Sequence, residues 1–178
     1  MKENGNTESQ LHSPYISYKN PIQNRLGLDY GVRSNYYAET NKFYIEPRLR
    51  VAYQLKDFLS IHANYDKHHQ YIRQVTEFRA SEFGINTAIW TLAENKSIPI
   101  QSATQWQLGF ILSKNNWVVD LQAYTKNVVG ISSRGYDFQT YESENPTVGD
   151  AYIKGLDLFV KKRVNKDLKI WASLHFLK

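Results

Sequence analysis

Apolar and polar residues alternate one by one through most of this chain. In 25–33, Leu26, Leu28, Tyr30 and Val32 fall on one side, while Arg25, Gly27, Asp29, Gly31 and Arg33 fall on the other. Successive side chains of a β-strand leave opposite faces, so a period of two predicts a strand with one apolar and one charged surface. The pattern returns in 48–55, where Leu49, Val51, Tyr53 and Leu55 oppose Arg48, Arg50, Ala52 and Gln54. It returns in 59–66, 105–112, 117–124, 156–161 and 168–176, and more weakly in 14–19. About eight antiparallel strands follow from this spacing.

Connections alternate too. Lys56-Asp57, 114–116, 163–166 and 20–23 (with the turn former Pro21) are short. Between them lie the longer links 34–44, 67–103 and 126–150. Short and long links in turn indicate an up-and-down meander with every second turn at one rim. The link 67–103 far exceeds an ordinary loop, which marks it as functional or partly structured. The polar segment 1–13 has no apolar stretch of the signal-peptide kind and reads as disordered or as the start of a fragment, leaving 14–178 as the β segment.

Composition narrows the class. The chain has 178 residues with 13 Tyr, 8 Phe and 4 Trp, a content that suits strands better than helices. No apolar run approaches the ~18 residues of a spanning helix. There is no cysteine, which excludes disulfides, thiolate metal sites and a cysteine nucleophile. The formal charge of +5 is spread along the chain with acids interspersed, which argues against nucleic acid as a partner.

A soluble antiparallel sheet also alternates. Three features favour a membrane wall instead. The polar stripes carry Arg25, Asp29, Arg33, Arg48, Arg50, Asp66, Asp120 and Gln122, a mixture suited to lining a hydrated lumen. With their flanks the strands reach about ten residues, enough for a tilted crossing of a bilayer. Tyr53, Tyr65, Trp106 and Trp117 stand near the ends of the apolar stripes, where interfacial aromatics belong.

The stretch Glu46-Pro47-Arg48-Leu49-Arg50-Val51-Ala52-Tyr53-Gln54-Leu55, with Leu59-Ser60-Ile61-His62-Ala63-Asn64-Tyr65 after a short turn, resembles the barrel of TonB-dependent outer-membrane receptors. So do 116–126 and 154–162. The resemblance implies an all-β fold: an arc from the C-terminal half of a large transmembrane barrel of about 22 strands. It implies location in the cell outer membrane and energy-coupled uptake of a scarce ligand of siderophore, cobalamin or glycan type. The implied partners are outer-membrane lipid, the remainder of the barrel with its plug domain, and the energy-transducing TonB complex. No plug, energy-coupling box or secretion signal is legible in these residues, so the chain by itself is not expected to transport.

The long links carry aromatics and cations suited to gripping an anionic chelate or a sugar: Tyr36, Tyr37, His68, His69, Tyr71, Trp90, Arg134 and Tyr136 are the candidate ligand contacts. The competing account is that such rings pack the loops together. His68 and His69 are adjacent, face opposite ways on a strand, and do not suggest a shared metal; both are expected exposed at the outer rim. Residues 130–135 lack the ending of a phosphate loop. There is no nucleophile elbow, zinc motif or paired acid and base, so neither enzyme activity nor a cofactor is expected. Two alternatives stay open: a small complete outer-membrane barrel with a structural or adhesive role, and a soluble carbohydrate-binding β-sandwich.

Overall fold

The computed structural model describes residues 8–23, 25–78, 86–94, 98–133 and 147–178. Eight long strands build one antiparallel sheet: β2 (Tyr15–Gln23), β3 (Leu26–Tyr37), β4 (Lys42–Lys56), β5 (Leu59–Gln70), β8 (Gln101–Lys114), β9 (Trp117–Ser133), β10 (Thr147–Arg163) and β11 (Lys169–Leu177). Each pairs with its neighbour in chain order, with one interruption: β5 pairs β8 across a separate hairpin, β6 (Ile72–Phe78) with β7 (Asn86–Leu92). A two-residue strand, β1 (Leu11–His12), joins the far end of β3, so the polar leading segment enters the sheet earlier than its composition indicates.

The register turns eight separate stripes into one surface. Leu26, Tyr53, Ile61, Phe110, Leu121, Leu158 and Leu174 form a single row across seven strands. Rows on either side of it run from Leu28 through Val51, Ala63, Leu108 and Ala123 to Leu156, and from Leu59 through Leu112 and Val119 to Val160. A slip of one residue in any pair would send a charged stripe into this band. The band is also exposed: Leu108 is 63% and Trp106 60% accessible.

The polar face differs. Asn35 is 3%, Glu46 4% and His62 6% accessible, so part of the polar side is closely packed, while Arg48 and Arg50 beside them stay exposed. A curled sheet with its polar side inside has such packing. Gly27, Gly31, Gly109 and Gly155 all lie on the polar side, where missing side chains let the wall bend inward. At Gly109 the space is already taken: a Cβ there would meet the His62 ring at 2.7 Å. The Tyr124 ring likewise lies across Gly155, directly opposite it on the neighbouring strand.

Strands run further than alternation alone shows. The expected link 34–44 shrinks to a 3-10 turn, Ala38–Thr40, closed by Asn41 in the left-handed region at φ 51°. β9 continues to Ser133 and β10 begins at Thr147, so both ends of the expected link 126–150 belong to the ladder. Within the expected link 67–103, β5 continues to Gln70, β8 begins at Gln101, and β6 with β7 forms its own hairpin. Past the apolar band the strict alternation of composition ends while backbone pairing carries on. At the other rim the turns are tight. Asn115 and Asn116 both take positive φ, as a two-residue type I′ hairpin requires.

Candidate functional site: the polar wall and its outer rim

Five polar-side residues of adjacent strands meet in a depression of about 610 Å³: Asp29 on β3, Arg48 and Arg50 on β4, and Asn64 and Asp66 on β5. Lys19, His68 and Gln107 complete its charged and amide lining. Asp66 Oδ2 lies 2.6 Å from His68 Nε2, and Arg48 Nη2 is 3.5 Å from His68 Nδ1. Arg33 lines a neighbouring hollow with Glu46 and Arg48. From the depression a hydrogen-bond ladder crosses the wall. Asn64 Nδ2 donates to Gln107 Oε1 at 2.9 Å, Gln107 donates to Gln122, and Gln122 Nε2 donates to Asp120 Oδ2 at 3.0 Å. Asn64 Oδ1, Asp120 Oδ1 and His62 Nδ1 have no hydrogen-bond partner among the described residues, which leaves buried polar atoms facing the same side.

Seven of the eight residues expected to line the lumen thus stand on the polar wall. Arg25 does not: it sits in the tight turn between β2 and β3 with φ 74°, and its carbonyl accepts from Gln54 N at 2.7 Å. A turn of this size needs a residue in the left-handed region, and that takes Arg25 out of the strand alternation.

The expected ligand contacts divide differently. Tyr37 is 1% and Tyr71 8% accessible, so both are core residues of the outer rim rather than open contacts. Their rings lie 4.9 Å apart, Tyr44 packs against Tyr71 at 5.6 Å, and the Tyr37 hydroxyl donates to Ala93 O at 3.1 Å. Ala93 N also donates to Tyr71 O at 2.8 Å, so Tyr37, Tyr71 and Ala93 together fasten the end of the β6–β7 hairpin to β3. Burial pushes the Tyr71 phenol up to about 12, keeping it neutral.

His69 is the second correction. Its side chain is 8% accessible; its backbone N–H donates to Glu46 Oε1 at 2.7 Å, and its Nδ1 lies 3.3 Å from the same oxygen. The ring stands 5.2 Å from Tyr44, inside the aromatic cluster and not at an exposed rim. It lies four residues beyond the Tyr65 level of the apolar band. Burial there lowers its pKa, and Glu46 opposes that shift. His68, part-buried, faces the depression below. Among the described residues no group of three metal-binding side chains comes together.

Tyr36 lies on the other side of the sheet, donating to Asn41 Oδ1 at 2.9 Å and packing on Phe43 at 5.1 Å. Trp90 stands 70% exposed on β7. Arg134 and Tyr136 lie outside the described residues. Arg73 is a key residue that sequence patterning leaves unmarked. It is 7% accessible and donates to Gly130 O at 3.0 Å, to Ser132 O at 3.3 Å and to Gln101. One guanidinium thereby ties the β6–β7 hairpin to β8 and β9. Burial lowers its pKa.

On the apolar side, Tyr18, Tyr30, Tyr65 and Trp106 fall on one row, with Tyr18–Tyr30 at 5.3 Å and Tyr65–Trp106 at 4.4 Å. Trp117 marks the other margin, paired with Lys114. From Trp106 to Lys114 a strand climbs about 27 Å at roughly 3.4 Å per residue. At a tilt of about 40° that is a height of about 21 Å, close to the ~25 Å apolar band of outer-membrane barrels.

An exposed apolar band bounded by aromatics and backed by a charged wall is the architecture of a β-barrel arc. Solved structures carry the same fold. The chain superimposes on the siderophore receptor PirA of Pseudomonas aeruginosa with a TM-score of 0.74 at 12% identity, over 96% of this chain and 34% of that one. PirA of Acinetobacter baumannii gives 0.66 at 12% identity, over 95% and 27%. The ferric enterobactin receptor PfeA of P. aeruginosa, in complex with enterobactin, gives 0.69 at 14% identity, over 96% and 27%. The chain thus spans about a third or less of the length of these receptors. No protein-family model and no curated protein matches its sequence.

Proposed function

We propose that this chain is part of the barrel wall of a TonB-dependent outer-membrane receptor that takes up a scarce ligand of siderophore type. The observation that carries the proposal is the register. It aligns every apolar stripe into one outward band and every charged stripe into one inward wall, on the fold of siderophore receptors. The reading places the protein in the outer membrane, with lipid against the band and the plug domain of the complete receptor against the wall. Coupling to the energy-transducing TonB complex runs through that plug. Binding and passage are the work assigned; no catalysis and no cofactor enter it.

Chemistry on the wall supports an anionic ligand. Arg48 and Arg50 flank the depression, and guanidinium groups pair well with carboxylate or catecholate oxygens. Trp90, exposed on β7, is the further proposed contact, and Arg134 and Tyr136 join it on their chemistry alone.

The test exploits the absence of cysteine. Leu108→Cys and Gln107→Cys each introduce a single labelling site on opposite faces. In the complete receptor, with any cysteine outside this chain replaced by serine, a fluorophore at 108 is expected to be quenched by brominated lipid and one at 107 by aqueous iodide. The opposite assignment, or equal quenching, removes the barrel reading. Uptake is tested by growth on ferric siderophore as the sole iron source, which Arg48→Ala with Arg50→Ala should impair.

The soluble sandwich needs a second layer over the apolar face. In the described residues that face is a single exposed layer, and the five buried hydrophobic residues are Tyr37, Tyr71, Ala93, Ile98 and Val128, none of them in the aligned rows.

A further inference from the structure

Charge is distributed unevenly between the two rims. The short turns and the strand ends that flank them carry Arg25, Lys56 with Asp57, Lys114, and Lys162, Arg163, Lys166 and Lys169 with Asp167. Seven cations against two acids leave an excess of five, equal to the formal charge of the whole chain, +5. Everything else in the protein is neutral on balance.

Three of these ammonium groups lie against aromatic rings at the margin of the apolar band. Lys56 Nζ and Lys114 Nζ stand 5.7 and 4.9 Å from the centre of the Phe58 ring, and Lys162 Nζ stands 4.6 Å from that of Trp117. Lys162 also donates to Asn115 O at 3.2 Å, bridging from β10 to the β8–β9 turn. Register puts Lys114, Trp117 and Lys162 in one row, directly below the row of Leu112, Val119 and Val160. The irregular pairing at Lys56 sets it opposite Leu59, on the same side. Among the described residues no carboxylate lies within ion-pair distance of the three.

A lysine whose stem follows apolar surface and whose ammonium ends at the hydrocarbon margin is placed to meet a phosphate. Trp and Phe at that depth hold the stem in position while the charge stays solvated. The same cations facing the lumen would suit a soluble anion; on the band side, continuous with the apolar rows, they suit lipid. We propose that this rim is a docking surface for anionic phospholipid headgroups, with Lys56, Lys114 and Lys162 as the phosphate contacts. It rests on the barrel reading, which supplies the lipid on this side.

The test uses the whole chain and flotation with vesicles of phosphatidylcholine, with and without phosphatidylglycerol. The unaltered protein is expected to associate with both and to prefer the phosphatidylglycerol vesicles, the preference fading as salt rises. Each lysine near an anionic surface strengthens the attraction about fivefold, so Lys56→Gln, Lys114→Gln and Lys162→Gln together should reduce the preference by roughly 100-fold. Association with neutral vesicles should survive in that variant, because the apolar rows are untouched. Equal affinity of the unaltered chain for both vesicle types, or an undiminished preference in the triple variant, overturns the proposal. Failure of the unaltered chain to float with neutral vesicles defeats the barrel reading itself, and this proposal with it.

Discussion

Phe110 and Ile111 are neighbours in β8 at nearly the same depth, yet they face different media. Phe110 lies midway between Trp106 and Lys114, in the row with Ile61 and Leu121. Ile111 points to the polar wall, between Ser60 and Asp120. Phe110 is 38% accessible, so in water Phe110→Arg would disturb little. In hydrocarbon an arginine at the midplane of a barrel costs about 2–4 kcal/mol, and Phe110→Arg should cost at least that. Ile111→Arg places its guanidinium beside Asp120, whose Oδ1 has no partner among the described residues, so the net cost should stay under about 1 kcal/mol. Urea unfolding of the protein in phosphatidylcholine vesicles, followed by tryptophan fluorescence, measures both. A difference of about 2 kcal/mol or more between the two variants is expected, nearly 30-fold in the unfolding equilibrium. Equal costs, or Phe110→Arg within about 0.5 kcal/mol of the unaltered protein, would refute the outward placement of the band.

Gly109→Ala should destabilise by about 1–3 kcal/mol, because the new methyl meets the His62 ring at 2.7 Å and Leu121 O at 2.9 Å. His62→Ala should relieve the first contact but not the second, giving partial rescue in a double-mutant cycle; strict additivity would show that the ring contact is not the cause. Arg73→Ala removes a charged donor from two carbonyls and Gln101, worth about 2–3 kcal/mol, so limited proteolysis within 72–92 should accelerate by up to roughly 100-fold. An unchanged cleavage rate would show that the hairpin is fastened elsewhere. His69 favours its neutral form when folded, while an unfolded histidine takes a proton near pH 6.5. Its contribution is therefore full above about pH 6.5 and is lost as pH falls through the lowered folded value. The protection of amides 69–74, taken against the intrinsic exchange rate at each pH, should fall on acidification, and His69→Asn should flatten that dependence; a pH-independent protection in the unaltered protein would rule it out.

Much of the wall was legible in the order of residues. A period of two is forced by backbone geometry, so Leu26 to Val32 or Trp106 to Leu112 announce both a strand and its two faces without any knowledge of neighbours. The short turns after Lys56, Lys114 and Arg163 were equally plain. The expected join 20–23 is instead strand, the end of β2, because pairing with β3 carries on through Pro21 to Gln23. The count of eight long strands agrees with the sheet. What the sequence could not supply was the end of each strand. Past the aromatic row strict alternation lapses, as in Lys126-Asn127-Val128-Val129-Gly130-Ile131 of β9, and the pattern fades while the ladder continues.

The outer rim depended on contacts between residues far apart in the chain. Tyr37, Tyr71 and His69 have the composition of exposed ligand contacts, yet they are buried because the end of the β6–β7 hairpin reaches β3 and brings Ala93 to Tyr37. Arg73 reads as one more loop cation until the fold sets Gly130 O and Ser132 O around it. Alternation is a local property, dictated by successive backbone units. Burial at the rim is collective, because it depends on which distant segments arrive at the same place, and only the assembled sheet decides that.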